Sequence, residues 1–364
     1  MPETLLIYYP SNNRSNATET LACEFASRGH KVFLLTHDKK GDLHQLLEKN
    51  NVEVHSYNIE KKRPFLYYLK HVRYLIRFCN SHNITAVQSH LQQANIIAVV
   101  AQYFMKSKVV AYRHHLIEQN KMSNFFDRVI NFLAKKIVVP SSVIYNHMVF
   151  EEKVKPEKVK LVPYVYDFTK FATTTIQSNE IKTKFPSKLL VLLCGRFVNL
   201  KRNDLAIKAV GALVKQGKDV KLLALDAGPE LDFCKQIVAD EKLEKNVFFI
   251  GYTTNVMNYV SACDILIHPS YTEASSNTVK EAAIFSKKVI VCEGVGDFSD
   301  YIVNTENGYM VNRENPLPGM ITCLEEIYDG KSSPLMGDKL KETVFNRFNK
   351  SPETINKHLN LLLQ

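Results

Sequence analysis

The sequence lacks the residue patterns that mark metal sites and disulfide frameworks. Its seven cysteines are scattered and form no CxxC pair, and neither an HExxH motif nor a Cys/His ligand spacing occurs. Paired cysteines are typical of secreted scaffolds and zinc sites. We therefore expect reduced thiols, a cytoplasmic location and no bound metal.

Long apolar runs and repeats are also missing. The longest apolar stretch, IIAVVAQYFM, is too short to cross a bilayer, and the opening MPETLLIYYP has no charged leader before its apolar residues. The sequence thus predicts neither a transmembrane helix nor a signal peptide. No repeat of solenoid length and no low-complexity tract occurs.

Charge is distributed unevenly along the 364 residues, which carry a formal net charge of +10. Residues 1–170 contain 24 Lys and Arg against 14 Asp and Glu, whereas residues 171–364 contain 23 of each kind. The excess in the first half indicates an anionic partner: nucleic acid, a phosphorylated acceptor or a membrane surface. A basic surface that only aids solubility is the alternative.

The order of apolar segments predicts the fold class. Runs rich in β-branched residues alternate with amphipathic segments, and a stretch rich in Thr, Ser and Lys interrupts this rhythm before it restarts at LLVLLCG. This pattern is typical of an α/β protein with two doubly wound, Rossmann-like parallel-sheet domains, which would face each other across a cleft. We expect an N-terminal acceptor domain over 1–170, a linker over 171–188, a second domain over 189–345 and a C-terminal helix over 346–364.

The nonapeptide EASSNTVKE, residues 273–281, joins a predicted strand to a predicted helix. Asn277 is a favourable capping residue, so the helix should begin near it. Glu273 then lies in the loop and Glu281 on the helix, up to about 12 Å apart. The first free amides of a helix favour phosphate or diphosphate, and the two carboxylates are placed to hold opposite ends of one ligand. A sugar nucleotide has this shape and charge.

The segment GRFVNLKRND follows the strand LLVLLCG, which places Arg196 and Lys201 in a loop at the carboxyl end of that strand. A guanidinium and an ammonium beside a diphosphate neutralise the charge that grows as a nucleotide departs, without a metal ion. Two solvated loop cations are the alternative interpretation.

The series GRxxxxK, ALDAGPE, FFIGY, HPSYTEASSNTVKEA and NGYMV resembles, in this order, the donor domain of glycosyltransferase family 4 over about residues 190–312. The resemblance implies the GT-B fold and retaining, metal-independent transfer from a UDP- or GDP-sugar. By the same matching, Arg196 and Lys201 grip the donor diphosphate. Glu281 binds the ribose hydroxyls, and Glu273 lies at the transferred sugar.

Further donor-binding candidates follow from the resemblance. Asn277 and Thr278 present backbone amides or side chains to the phosphates, and Gly195 and Ser276 lie beside these positions. The chain also departs from the family pattern. Ala274, Ser275 and Ser276 stand where the family often has GFG, and Lys280 occupies a usually apolar position. The backbone is therefore less free to approach the sugar, and Ser275 is expected to hydrogen-bond to the donor instead.

The first half matches the family less closely. In SNNRSNATETLACEFASRGH, Asn12 and Asn13 replace a glycine pair. Because asparagine tolerates the left-handed conformation, Asn13 stays a donor-binding candidate. VVAYRHHL matches a strand ending in a histidine near the reacting sugar, and the register selects His114 over His115. His90 is a weaker candidate. A solvated loop and ordinary surface or core histidines are the alternatives.

A helix from Pro64 is predicted within KKRPFLYYLKHVRYLIRFCNSH, residues 61–82. Its expected faces are a basic one and an apolar one: Lys70, Arg73 and Arg77 with Tyr67 and Tyr74, opposite Phe65, Leu69, Val72 and Ile76. The basic face suits an anionic membrane surface, and a merely solvated face is the alternative. No nucleic-acid-binding module is recognisable, so nucleic acid is not an expected partner.

The sequence therefore predicts a retaining hexosyltransferase that moves a sugar from a nucleoside diphosphate sugar to a saccharide or lipid-linked acceptor, with no cofactor. Polysaccharide, lipopolysaccharide or glycolipid biosynthesis is the expected setting, in the cytoplasm or at the inner face of the membrane. Two alternatives stay open: a non-catalytic subunit of the same fold that binds a sugar nucleotide or a partner enzyme, and a sugar-nucleotide epimerase.

Overall fold

The computed structural model describes residues 2–116, 121–172 and 177–364. Residues 173–176 of the predicted linker lie outside this part of the chain. Two structural units are present: the first comprises the residues up to Asp167 together with Phe348–Gln364, and the second comprises Phe168–Arg347.

The first unit contains a parallel sheet. Its strands among the described residues are β1 (Thr4–Tyr9), β2 (Lys31–Thr36), β3 (Glu53–Ser56), β4 (Ala86–His90), β5 (Lys108–Tyr112), β6 (Ile137–Val139) and β7 (Val159–Leu161). The helices of this stretch are α1 (Asn16–Ser27), α2 (Asp42–Glu48), α3 (Pro64–Ser81), α4 (Leu91–Ala101), α5 (Lys121–Leu133) and α6 (Ser142–Asn146). The strand order is β3-β2-β1-β4-β5-β6-β7, so the winding direction reverses between β1 and β4.

The second unit repeats this plan. Its strands are β8 (Leu189–Cys194), β9 (Val220–Leu225), β10 (Val247–Gly251), β11 (Ile265–His268), β12 (Lys288–Cys292) and β13 (Tyr309–Val311). Its helices are α7 (Thr169–Ala172), α8 (Ser178–Lys184), α9 (Asn203–Lys215), α10 (Leu231–Asp240), α11 (Val256–Ala262), α12 (Asn277–Ile284), α13 (Pro316–Tyr328) and α14 (Met336–Phe348). The order β10-β9-β8-β11-β12-β13 reverses between β8 and β11.

The strands are apolar along their length because helices cover both faces of a parallel sheet. In β8 the residues from Leu189 to Leu193 are all buried, and in β1 the run from Leu5 to Tyr8 is buried. The predicted α/β class with two doubly wound sheets is thus confirmed.

The last helix, α15 (Pro352–Leu363), belongs to the first unit. Ser351 caps it and forms a capping box with Thr354, as expected where Ser precedes Pro at the first helical position. Ile355 and Leu362 join the apolar core of that unit. Tyr112 of β5 hydrogen-bonds through its hydroxyl to His358 Nδ1 at 3.1 Å. The predicted C-terminal helix is therefore confirmed.

The faces predicted for α3 were wrong. Tyr67 is buried, together with His71, Leu75 and Phe78, whereas Phe65 is exposed. The basic side chains Lys70, Arg73 and Arg77 are exposed as expected, but Tyr67 does not share their face. Among the described helices, none is long and apolar enough to cross a membrane.

Candidate active site

Two loops of the second unit meet where its strand order reverses. One follows β8 and contains Gly195, Arg196 and Lys201, and the other follows β11 and contains Glu273. The two strands pair directly in parallel. Open parallel sheets bind ligands beyond the carboxyl ends of the strands at such a reversal. This edge of the sheet is therefore the candidate donor site.

Lys201 and His268 converge on the Glu273 carboxylate. Lys201 Nζ forms an ion pair with Glu273 Oε1, and His268 Nε2 lies 2.7 Å from the same oxygen. A carboxylate only accepts, so the imidazole N–H donates. Burial alone raises the pKa of Glu273, but the His268 hydrogen bond and the Lys201 charge lower it to about 2. Glu273 is therefore ionised at physiological pH and holds Lys201 in place.

The other two cations of this loop have different environments. Arg196 is exposed, and its guanidinium has no hydrogen-bond or ion-pair partner within the described residues. Arg202 Nε donates to the Pro269 carbonyl at 2.8 Å, and its guanidinium also bonds the Arg313 carbonyl at 2.6 Å. Arg202 therefore ties together the loops after β8 and β11, whereas the Arg196 side chain makes no such contact within the described residues.

Helix α12 begins at Asn277, close to the predicted start, but Asn277 is not the capping residue that the sequence indicated. Ser276 is its N-cap, and the Ser276 hydroxyl accepts from the Val279 amide at 3.4 Å. Thr278 hydrogen-bonds to the Cys194 thiol at the end of β8. The positive dipole end of α12 therefore lies near the end of β8 and the cationic loop that follows it.

Glu281 lies one turn along α12 in a different environment from Glu273. Its carboxyl is half-buried and has no hydrogen-bond or ion-pair partner within the described part of the chain. Burial raises the pKa of Glu281 to about 7, although the nearby Lys280 charge acts in the opposite direction. Glu273 is thus ionised at neutral pH, whereas the pKa of Glu281 lies close to neutral pH. Opposite pKa shifts of this kind separate two acids into different roles.

Ser275 belongs to a buried polar cluster. Its hydroxyl donates to Asp297 Oδ2 at 2.6 Å and accepts from Lys280 Nζ at 2.8 Å. Lys280 and Asp297 form a fully buried ion pair at 2.8 Å. Burial lowers the pKa of Lys280 and raises that of Asp297, and each charge offsets the effect on the other. The Ser275 hydroxyl, expected to face the sugar, is thus committed to this pair.

The loop after β12 closes against the same segment. Gly294 and Gly296 have φ of 68° and 55°, values that favour glycine. A Cβ on Gly296 would lie 3.0 Å from the Glu273 Cβ. The glycine at this position therefore permits the close approach that brings Asp297 beneath Ser275.

In the first unit, His114 lies beyond the end of β5, and hydrogen bonds engage both of its ring nitrogens. His90 Nδ1 lies 2.8 Å from His114 Nε2, and the Tyr164 hydroxyl bonds His114 Nδ1. Burial lowers the pKa of His114 to about 3, so its imidazole is neutral. His115 is instead bonded to Asp127 at 3.0 Å. A ligand would reach His114 only by displacing one of its partners.

The loop containing Asn12 and Asn13 does not use the left-handed conformation, so that expectation was wrong. Neither residue is among the described residues with positive φ. The Asn12 side chain donates to the Lys39 carbonyl at 3.0 Å, whereas Asn13 is exposed and donates its backbone N–H to Ser11 Oγ. Asn13 remains accessible at the carboxyl end of β1.

One group of metal-type ligands is present in the described residues, and it lies in the first unit. Glu53, His55 and His82 bring potential ligand atoms within 4.8 Å of one another. Glu53 is also paired with Lys31 at 3.5 Å. At the donor site itself, Arg196 and Lys201 supply the positive charge.

Sequence reasoning missed three side chains that organise the donor site: His268, Lys280 and Asp297. His268 ends β11, and histidine at the carboxyl end of a central strand was the available signal. Lys280 was noticed only as a departure from an apolar position. Its partner Asp297 is seventeen residues away, so no local pattern links the two.

Two family models match the chain: Glycosyltransferase Family 4 over residues 15–169 and Glycosyl transferases group 1 over residues 175–317. The chain belongs to glycosyltransferase family 4. The two matches correspond to the two units, and the GT-B fold of this family 4 glycosyltransferase is confirmed by solved structures. Anabaena Alr3699/HepE in complex with UDP superposes with a TM-score of 0.82 at 18% identity, covering 98% of each chain.

Curated relatives act on amino sugars according to their names. N-acetyl-alpha-D-glucosaminyl L-malate synthase of Bacillus anthracis is 22% identical over 93% of the family 4 chain and 91% of its own. An N-acetylgalactosaminyltransferase of Campylobacter jejuni, named for a diphospho-undecaprenol substrate, is 22% identical over 79% of this chain and 77% of its own. Poly(ribitol-phosphate) alpha-N-acetylglucosaminyltransferase of Staphylococcus aureus is 26% identical over 49% of this chain, which spans only 36% of that protein's length.

Substitutions of Lys280 and Asp297 should have strongly coupled effects on the free energy of unfolding, because the two side chains form a buried ion pair. Lys280→Met leaves Asp297 without its counter-charge and should cost about 3–5 kcal/mol in the free energy of unfolding. The double variant K280M/D297N removes both charges and should recover most of that loss. Urea unfolding of the single and double variants measures the coupling. Lys208→Met, in a half-buried pair with Asp204, is the control and should cost less than about 1 kcal/mol. Additive losses would contradict the prediction.

Replacing Glu281 with a neutral residue should stabilise the protein in a pH-dependent way. Because the pKa of Glu281 is raised in the folded protein, its protonated carboxyl contributes fully to folding stability below pH 4.5. This contribution is lost as the pH rises through about 7. Glu281→Gln should therefore raise the melting temperature at pH 8, by about 2–4 °C per kcal/mol gained, and leave it nearly unchanged at pH 5. Glu244→Gln, at an exposed position, is the matched control. An equal gain at both pH values would show that burial of the Glu281 charge is not the cause.

Proposed function

We propose that the chain is a retaining glycosyltransferase that moves a hexose-type sugar from a nucleoside diphosphate sugar to a saccharide or lipid-linked acceptor. The observation that carries the proposal is the convergence of Lys201 and His268 on Glu273, with the unpartnered Arg196 on the same loop as Lys201. This arrangement offers two positive charges and the start of α12 to a diphosphate.

The two glutamates suit the two ends of such a donor. Glu281 is a half-buried carboxyl without a partner among the described residues, and the vicinal hydroxyls of a ribose would satisfy it. Glu273 is held ionised by its neighbours and would lie at the transferred sugar. The UDP complex of HepE supports a uridine nucleotide, and GDP is the second candidate.

The proposed chemistry needs positive charge at the departing oxygen. The bond from the anomeric carbon to the diphosphate breaks, and the bond from that carbon to the acceptor oxygen forms on the same face. The acceptor proton passes to the departing phosphate oxygen. Lys201 and Arg196 stabilise the negative charge on the diphosphate, which is why no metal or other cofactor is required. Retention of configuration rests on the family resemblance.

The acceptor would approach from the first unit. Neutral His114, with His90 and Tyr164, lies at the carboxyl edge of its sheet, and Asn13 is accessible at the end of β1. The relatives named for undecaprenyl-linked and polyol phosphate substrates support an anionic, glycan-type acceptor. Polysaccharide or glycolipid assembly is therefore the proposed setting.

A thermal-shift screen tests the donor. A nucleotide that binds the folded state increases the free energy of unfolding by mass action, by about 2.7 kcal/mol at 100 times its Kd. The melting temperature rises as a result. UDP and UDP-sugars are expected to stabilise the protein more than GDP or adenine nucleotides. Arg196→Ala, which removes an exposed and unpartnered side chain, should leave the unliganded melting temperature unchanged and reduce the nucleotide-induced shift. If no nucleoside diphosphate changes the melting temperature, the proposed donor site is wrong.

Lys201→Ala tests the catalytic assignment. Loss of a positioned donor at a developing negative charge should reduce transfer about 100- to 1,000-fold, whereas His268 still satisfies Glu273 and keeps the fold intact. Sugar transfer to acceptor glycans measures the loss, and circular dichroism checks the fold. Lys245→Ala, at an exposed position, should retain full activity. Undiminished transfer by Lys201→Ala, or epimerisation of the donor without an acceptor, would contradict the proposed reaction.

A further inference from the structure

Helix α5 of the first unit buries two of its polar residues and exposes several of its apolar ones. Its polar residues Ser123 and Asp127 are 4% and 6% exposed, whereas Phe125 and Phe132 are 58% and 81% exposed and Met122 is 61% exposed. A helix on a soluble surface normally buries its apolar side chains and exposes its polar ones. The outward side of α5 therefore carries apolar side chains that are exposed within the described part of the chain.

The buried hydrogen bonds of Asp127 explain this orientation. Asp127 Oδ2 accepts from His115 Nε2 at 3.0 Å, and Asp127 Oδ1 accepts from Gln92 Nε2 at 2.8 Å. Ser123 also bonds Gln92, at 2.9 Å. Since these groups are satisfied only when they face inward, the residues on the other side of α5 must face outward.

Three exposed apolar residues and the partly buried Val129 form one stripe. Met122, Phe125, Val129 and Phe132 recur at helical spacing and lie on one side of α5, which is about 20 Å long. We call these four residues the α5 stripe. At its first end, the rings of Phe126 and Tyr68 are 5.4 Å apart, and Tyr68 is one turn from the exposed Phe65.

The second end of the α5 stripe is extended by a neighbouring turn. The Tyr103 hydroxyl donates to the Leu133 carbonyl at 2.9 Å, and Tyr103 and Phe104 are more than half exposed. The apolar surface therefore continues from the start of α3, along α5, to the end of α4. Such contiguous exposed apolar surface marks a binding interface.

Cations flank the α5 stripe at both ends and along one side. Lys61 lies over the rings of Tyr67 and Tyr68 at the first end, and Lys135 lies over Tyr103 at the second. Arg128 is exposed beside the stripe on α5 itself. The exposed cations Arg63 and Lys106 add to this rim. An apolar strip with a cationic border matches the boundary between acyl chains and anionic headgroups.

We propose that the α5 stripe docks the chain onto an anionic lipid bilayer, with the phenylalanines in the acyl boundary and the cations at the headgroups. This surface differs from the basic face of α3 that the sequence indicated, and it is independent of the donor site. The whole excess of positive charge lies in the first 170 residues, which favours a membrane over a neutral protein partner.

Vesicle flotation of the full chain tests the docking surface. Wild-type protein should float with vesicles containing about one third phosphatidylglycerol. Most of it should dissociate as the salt concentration rises from about 0.05 to 0.5 M, and it should not bind vesicles of pure phosphatidylcholine. The double variant F125S/F132S should bind about 100-fold more weakly, at about tenfold per phenylalanine. Arg128→Glu should weaken binding to the anionic vesicles as well.

Phe233→Ser is the matched control, because Phe233 is 53% exposed on α10 of the second unit and should not affect flotation. Both sites are exposed, so circular dichroism melting should be unchanged in each variant. Absence of wild-type binding, equal binding to neutral vesicles, or undiminished binding by F125S/F132S would overturn the proposal. A wild-type dimer that F125S/F132S converts to monomer, without vesicle binding, would assign the stripe to self-association instead.

Discussion

The ion pair between Lys201 and Glu273 is the interaction on which the donor site depends. It joins the loops after β8 and β11, the two strands between which the sheet reverses direction. Because His268 also donates to Glu273, the carboxylate stays charged well below neutral pH. The ammonium is therefore fixed before any ligand arrives, and a bound diphosphate would share a cation that is already oriented. Preorganised charge of this kind needs little rearrangement during reaction.

Environment, not residue type, separates the two glutamates of EASSNTVKE. Glu273 has two donors and a lowered pKa, whereas Glu281 has burial without a partner and a raised pKa. The eight-residue spacing was enough to predict that one acid lies in the loop and one on the helix. It could not predict which would be ionised, because His268 and Lys201 reach Glu273 through tertiary contacts. Burial raises the pKa of Glu281, whereas at Glu273 these contacts outweigh burial and lower the pKa.

The parts of the fold set by local rules were predictable from the sequence. The start of α12 followed from capping preferences, and the two sheets followed from alternating apolar and amphipathic segments. The orientation of α3 was not predictable in this way. Tyr67 and His71 face inward because they contact His37, and Tyr67 also bonds Gln93 from a separate helix. Those partners come from distant segments, so the helical phase of apolar residues alone gave the wrong face.

Buried polar groups explain, in the same physical terms, the lysine at a usually apolar position of α12 and the exposed phenylalanines of α5. Lys280 is tolerated at a buried helical position because Asp297 and Ser275 satisfy its ammonium. In α5, Asp127 is buried with its partners, and this contact turns the phenylalanines outward. In both helices a satisfied polar group outweighs the apolar pattern, since leaving such a group buried without a partner costs more than exposing one aromatic ring. The first case consolidates the donor loop. The second leaves an apolar surface that is exposed within the described part of the chain.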